Sequence, residues 1–192
     1  MRIETGAATL AFYRALTAQQ PGEVEDVIPA DESVLVILCP GAGLSAALRA
    51  ALVPPCEAAP VQCGTLHAIP VEYGGSAGPD LPALAERAGM DEAAYINSHA
   101  EAEYTVAFLG FQPGFPYLKG LPSSLHAPRR PTPRVRVAAG SVAIGGRYAG
   151  IYPAAGPGGW QIIGRTPADL FDPKRDPPAL LLPGDRLRFV PQ

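Results

Sequence analysis

Apolar residues in this chain fall in short runs separated by Gly, Pro and Asp, and not in long helical stripes. Val24–Ile28, Ser33–Leu38 (SVLVIL) and Val61–Tyr73 are runs of strand character in the first third. The continuous apolar run Ser33–Leu38 predicts a buried strand, and Arg2–Tyr13 a short apolar strand or hairpin edge. Further on, Tyr104–Leu109, Arg134–Val137, Ser141–Ile144, Gly150–Tyr152, Trp160–Gly164 and Leu187–Val190 predict strands at the spacing of a barrel or sandwich. Turns are expected at Pro29-Ala30-Asp31 and Pro183-Gly184-Asp185. Three helices interrupt the pattern. One runs from about Ser45 to Leu52 and is stopped by Pro54-Pro55. A second starts with Asp80 as N-cap, carries Leu81, Leu84 and Ala85 on one face, and stops at Gly89. A third starts after Asp91 and reaches about Ala102, with His99 near its C-terminal end. These elements predict a small α+β domain over residues 1–75. A mainly-β domain with two leading helices is expected over residues 76–192.

Composition narrows this further. With 23 Pro and 21 Gly the 192-residue chain is no helical bundle, and 47% hydrophobic residues is too many for disorder. Much of the Gly and Pro lies between Val106 and Trp160. There the run Phe111-Gln112-Pro113-Gly114-Phe115-Pro116-Tyr117 makes a stiff aromatic loop suited to binding, because little entropy is lost when a ligand arrives. A net charge of −3 argues against a nucleic-acid partner, and the cluster Arg129, Arg130, Arg134, Arg136 is a local exception. No apolar run is long enough to span a bilayer, the first residues show no signal-peptide pattern, and three Cys suit a reducing cytoplasm.

Candidate chemistry is sparse. Gly41-x-Gly43-x-x-Ala46 after an apolar run matches a dinucleotide fingerprint in outline, but only one such unit is visible, and a plain strand-to-helix turn explains it. Ser141, His99 and Asp169 could form a triad on paper, without any nucleophile-elbow motif. Cys56, Cys63 and His67 lack the paired spacings of a zinc site, so no metal is expected. A helix C-terminus would favour a protonated His99, although the expectation from the sequence alone is a surface or packing role. Arg129, Arg134 and Arg165 stand beside Pro or Gly, and guanidinium groups bind carboxylate or phosphate through paired hydrogen bonds.

Several motifs in order carry a resemblance. They are His99…Tyr104, Gly110-Phe111-Gln112-Pro113-Gly114-Phe115-Pro116-Tyr117-Leu118, Pro128-Arg129, Pro133-Arg134, Ala139-Gly140-Ser141, Gly150-Ile151-Tyr152-Pro153, Pro157-Gly158-Gly159-Trp160 and Gly164-Arg165-Thr166-Pro167. Together they resemble the family of 5-oxoprolinase B subunits, also known as the Kip-inhibitor or allophanate hydrolase subunit 1 family. The resemblance covers about the last two-thirds of the chain. It implies an α+β N-terminal domain followed by a cyclophilin-like β-barrel. It also implies a role as one component of an ATP-dependent 5-oxoprolinase converting 5-oxo-L-proline to L-glutamate. The implied partners are a barrel protein like the 5-oxoprolinase C subunit and an A subunit resembling the lactam-utilisation proteins. ATP is expected to be bound by the complex and not by this chain alone, since no Gly-x-x-x-x-Gly-Lys-Ser/Thr occurs. The family also contains inhibitors of a sensor histidine kinase and halves of allophanate- or urea-carboxylase-type carboxyltransferases. The implied anion-binding candidates are His99, Tyr117, Arg129, Arg134, Ser141, Tyr152, Trp160 and Arg165. Two roles are open for the arginines and the ring residues: lining a pocket shared with a partner, or making ion pairs and cation–π contacts inside the barrel.

Overall fold

The computed structural model describes residues 1–54 and 64–192, which fall into two compact units, Met1–Cys63 and Gly64–Gln192. Cys56 and Cys63, together with the first residues of the strand expected over Val61–Tyr73, lie outside the described residues.

In the first unit β1 (Arg2–Glu4) leads through a 3-10 turn into α1 (Thr9–Gln19). The single strand or hairpin expected over Arg2–Tyr13 is therefore corrected to a three-residue strand and a helix. Phe12 and Leu16, one helical turn apart, bury the same face of α1 against Val34 and Val36. β2 (Val24–Ala30) and β3 (Ser33–Leu38) form a hairpin, and α2 (Ala46–Ala51) follows with the Ser45 hydroxyl accepting from Leu48 N–H at 3.1 Å. The sheet order is β1-β3-β2, and both pairings are antiparallel. β3 is thus buried on one face only: Val34 and Val36 are covered, while Leu35 and Ile37 are exposed. The Gly41–Gly43 turn feeds a six-residue helix beside an antiparallel sheet, which is not the parallel unit a dinucleotide cradle needs.

The second unit opens with β4 (Leu66–Tyr73), α3 (Leu81–Ala88) and α4 (Glu92–Glu101). It continues with β5 (Tyr104–Leu109), β6 (Pro116–Lys119), β7 (Arg134–Val137), β8 (Ser141–Gly145), β9 (Tyr148–Ile151), β10 (Gly156–Gly158), β11 (Gln161–Arg165) and β12 (Arg186–Pro191). Seven strands close a barrel in the order β11-β4-β12-β5-β6-β9-β8, with β8 pairing back onto β11. Closure removes the free sheet edges.

Two expectations need correction. β4 belongs to the barrel, running parallel to β12 and antiparallel to β11, so the first unit ends at residue 63 and not at 75. The loop after β4 is tied to the barrel as well: Gly74 N–H donates to the Ile163 carbonyl at 3.1 Å, and a Cβ on Gly78 would strike that same carbonyl. β7 is not a barrel strand. It pairs with β10 as a separate two-stranded ribbon. The barrel is filled by Val71, Val106, Leu118, Val142, Ile144, Ile151 and Leu187, with Leu81, Leu84 and Tyr95 from the two helices in the same core.

Candidate functional site

The structure distributes the eight candidate residues over three places.

Tyr117, Arg129, Tyr152 and Trp160 meet around a cavity of about 80 Å³, with Phe111 and Phe115. Trp160 reaches its place because β8 and β9 are bare where it lies. A Cβ on Gly145 would strike the indole, and one on Gly150 would stand 2.9 Å from it and 3.0 Å from Phe115. Phe115 and Tyr117 meet the indole edge-on at 5.4 and 5.5 Å between centroids. The Arg129 guanidinium lies 5.7 Å from the Trp160 ring centroid, close enough for a cation–π contact, while the residue remains exposed. Burial raises the Tyr152 hydroxyl above its ordinary pKa, although a hydrogen bond with the Trp160 backbone and the charge of Arg129 pull the other way. Tyr152 therefore stays a neutral phenol at any ordinary pH, and the cation of Arg129 is not neutralised by it. Over the rim stands Phe111, 59% exposed and with φ +68°. That left-handed conformation is costly for a non-glycine residue, and such strain is found at binding loops.

Arg134, Ser141 and Arg165 lie around a second cavity, of about 230 Å³, together with Arg136 and Glu72. Its wall is held by Asp80. The Asp80 Oδ1 accepts from Arg134 Nη2 at 2.7 Å and from Arg130 Nη1 at 3.1 Å, and Oδ2 accepts from Ile162 N–H at 2.6 Å. Asp80 does occupy the N-cap position of α3, but its carboxylate makes no capping hydrogen bond, because these three donors take it. For Arg134 the ion-pair role is thus realised within the chain. Arg165 donates from Nε to the Ala139 carbonyl at 3.2 Å, and it also borders a wider cleft of about 660 Å³ with Asp169.

His99 is placed with neither group. It is completely buried, its Nδ1 is 2.8 Å from the Tyr73 hydroxyl, and its ring packs on Tyr104 and Phe189 at 5.3 and 4.6 Å. Burial lowers its pKa to about 3. The helix dipole offers roughly 0.3–1 kcal/mol to a protonated imidazole. Full desolvation costs several times that, at about 1.4 kcal/mol per pKa unit. The imidazole is neutral, and of the two readings of His99 the packing role is the one the structure shows. Its side chain meets Tyr73, Tyr104 and Phe189 and neither Ser141 nor Asp169, and those two border different cavities, so no triad is assembled. Among the described residues no cluster of three or more His, Cys, Asp or Glu is placed to hold a metal ion. Among the described residues no helix is long and apolar enough to cross a membrane.

Asp80, Arg130, Arg136 and Phe111 were not among the candidates. Arg134-x-Arg136 alternation on a strand, which puts both side chains on one face, was the available signal for Arg136.

Fold and cavities define a two-unit α+β protein whose closed barrel carries arginine-lined clefts. The chain belongs to the family described as carboxyltransferase domain, subdomain C and D, which it matches over residues 1–181. A relative from Escherichia coli O157:H7, named as the B subunit of 5-oxoprolinase, is 60% identical over 124 residues, covering 65% of this chain and 57% of its own length. One of the same name from Bacillus subtilis (strain 168) is 48% identical over 122 residues, covering 64% and 51%. The aligned part thus spans little more than half the length of these relatives. The crystal structure of TTHA0988 superposes with a TM-score of 0.85 at 35% identity, over 100% of this chain and 39% of that one.

Proposed function

We propose that this chain is a non-autonomous, cytoplasmic component of an ATP-dependent 5-oxoprolinase that opens 5-oxo-L-proline to L-glutamate. The observation that carries the proposal is the 60% identity to a 5-oxoprolinase B subunit. The geometry agrees with it. Opening an unstrained lactam requires activation of its carbonyl followed by attack of water, and the candidate residues form no nucleophile–base pair for either step. The Trp160 pocket instead offers a cation and aromatic faces. Arg129 would hold the substrate carboxylate through its forked donors, and Tyr117, Tyr152 and Trp160 would pack the ring and exclude water. A cavity of about 80 Å³ has room for only part of a five-membered lactam, so the site would be completed by another protein of the complex. That partner would be a barrel protein like the 5-oxoprolinase C subunit, with a lactam-utilisation-like protein, the A subunit, beside it. ATP would be bound by the complex. The test is reconstitution: glutamate release from 5-oxo-L-proline and ATP should require all three chains and be absent with this chain alone. Full activity in its absence would end the proposal. The family match favours a second reading, half of an allophanate- or urea-carboxylase-type carboxyltransferase, which biotin-dependent carboxylation by the same mixture would support.

A further inference from the structure

We propose that the cleft bounded by Arg134, Arg136 and Arg165 is an oxyanion site of its own, separate from the Trp160 pocket, and that its ligand is a phosphate group. The proposal does not rest on the lactam reading.

The cleft gathers charge from two strands. β7 presents Arg134 and Arg136 at alternate positions, hence on one face, and β11 supplies Arg165. Across the barrel wall Ser141, Arg165 and Glu72 stand in one register row, on β8, β11 and β4. Of the carboxylates near these arginines, Asp169 borders only the wider cleft that Arg165 also lines, and the other two, Asp80 and Glu72, are unequal. Asp80 is fully engaged by Arg130, Arg134 and the Ile162 amide, so it orients Arg134 and leaves little negative potential for the cavity. Glu72 forms no ion pair with any arginine among the described residues, although it borders the same space. On the donor side, Arg165 commits only Nε, to the Ala139 carbonyl. Arg136 makes no hydrogen bond or ion pair among the described residues, and both it and Arg165 are exposed. The outcome is a concentration of uncommitted guanidinium donors in a chain whose net charge is −3.

Size and shape select the ligand. About 230 Å³ accommodates a phosphate with part of an organic body, which the 80 Å³ aromatic pocket does not. A carboxylate offers two oxygens in one plane and is saturated by one or two guanidinium forks. Three arginines approaching from two strands match the non-planar oxygens of a phosphate, with the Ser141 hydroxyl as a further donor at the wall.

The experiment is a calorimetric titration of the full chain with inorganic phosphate at constant ionic strength, with acetate as competitor. Saturable binding is expected, with acetate displacing phosphate only at far higher concentration. Arg136→Gln and Arg165→Gln should each weaken phosphate binding about tenfold or more, with an unchanged melting temperature because both side chains are exposed. Arg129→Gln should leave phosphate affinity as it was. The proposal is overturned if phosphate does not saturate, if the double variant Arg136→Gln/Arg165→Gln binds as well as the parent, if acetate competes equally, or if Arg129→Gln weakens binding as much.

Discussion

The barrel unit contains two aromatic clusters that differ in one respect. Around His99, the rings of Tyr73, Tyr104 and Phe189 close over a polar group and remove it from water. Around Trp160, the rings of Phe115, Tyr117 and Tyr152 leave one side open, and an exposed arginine stands there. Similar side chains therefore carry opposite consequences. In the closed cluster desolvation determines the charge state and makes histidine a packing residue. In the open one an always-charged guanidinium keeps access to a ligand while resting on an indole. A ring residue and a cation in a motif do not define a binding site until one face is left uncovered.

Four experiments probe this contrast, taken from the largest effect down. Trp160→Ala should cost about 3–5 kcal/mol in urea unfolding, since Trp160 fills the space above Gly145 and Gly150. A loss under about 1 kcal/mol would mean the open cluster is not a packed unit. His99→Phe should cost about 1–3 kcal/mol, because the Tyr73 hydroxyl loses its partner. Adding Tyr73→Phe should recover much of that, and both variants should retain activity in the reconstituted complex. A large activity loss in the stable double variant would give the closed cluster a role in the chemistry.

Next comes pH. The folded-state pKa of His99 is lowered from 6.5 to about 3 by burial, so unfolding takes up a proton between those values. Its contribution to stability is complete above about pH 6.5 and declines as pH falls toward 3, by up to about 1.4 kcal/mol per pH unit. Unfolding measured at pH 7, 6 and 5 should show this slope, flattened in His99→Phe/Tyr73→Phe. The smallest change in stability belongs to Arg129→Lys, at most about 0.5–1 kcal/mol for an exposed cation–π contact. Glutamate release by the reconstituted complex should nonetheless fall about tenfold or more, because an ammonium cannot fork around a carboxylate. Equal activity would remove Arg129 from the site.

What could be read from the chain follows the range of the interactions involved. α3 and α4 were legible from Gly89 and Asp91, which act within a few residues, and β5 from a self-contained apolar run; Asp80 marked the start of α3 although its carboxylate is engaged at long range. β10 was not, because Gly156–Gly158 carries no side chain pattern to signal a strand. β6 was hidden inside the Pro-rich loop that precedes and includes Pro116. The barrel membership of β4 is set by partners more than 90 residues away in the sequence, which no local pattern encodes. The same applies to the candidate site. Motif order placed Tyr117, Arg129, Tyr152 and Trp160 among the candidates, and the fold brings them together. It could not show that Arg134 is tied to an aspartate 54 positions earlier, nor that His99 is sealed away from the others.

The insertion of β12 between β4 and β5 has a consequence for biosynthesis. Those two neighbours emerge from the ribosome long before the strand that joins them, so each must wait with unsatisfied amides while roughly half of the chain is still being made. The barrel can shut only after Arg186–Pro191 has been delivered, so until then β4 and β5 are the strands open to mispairing.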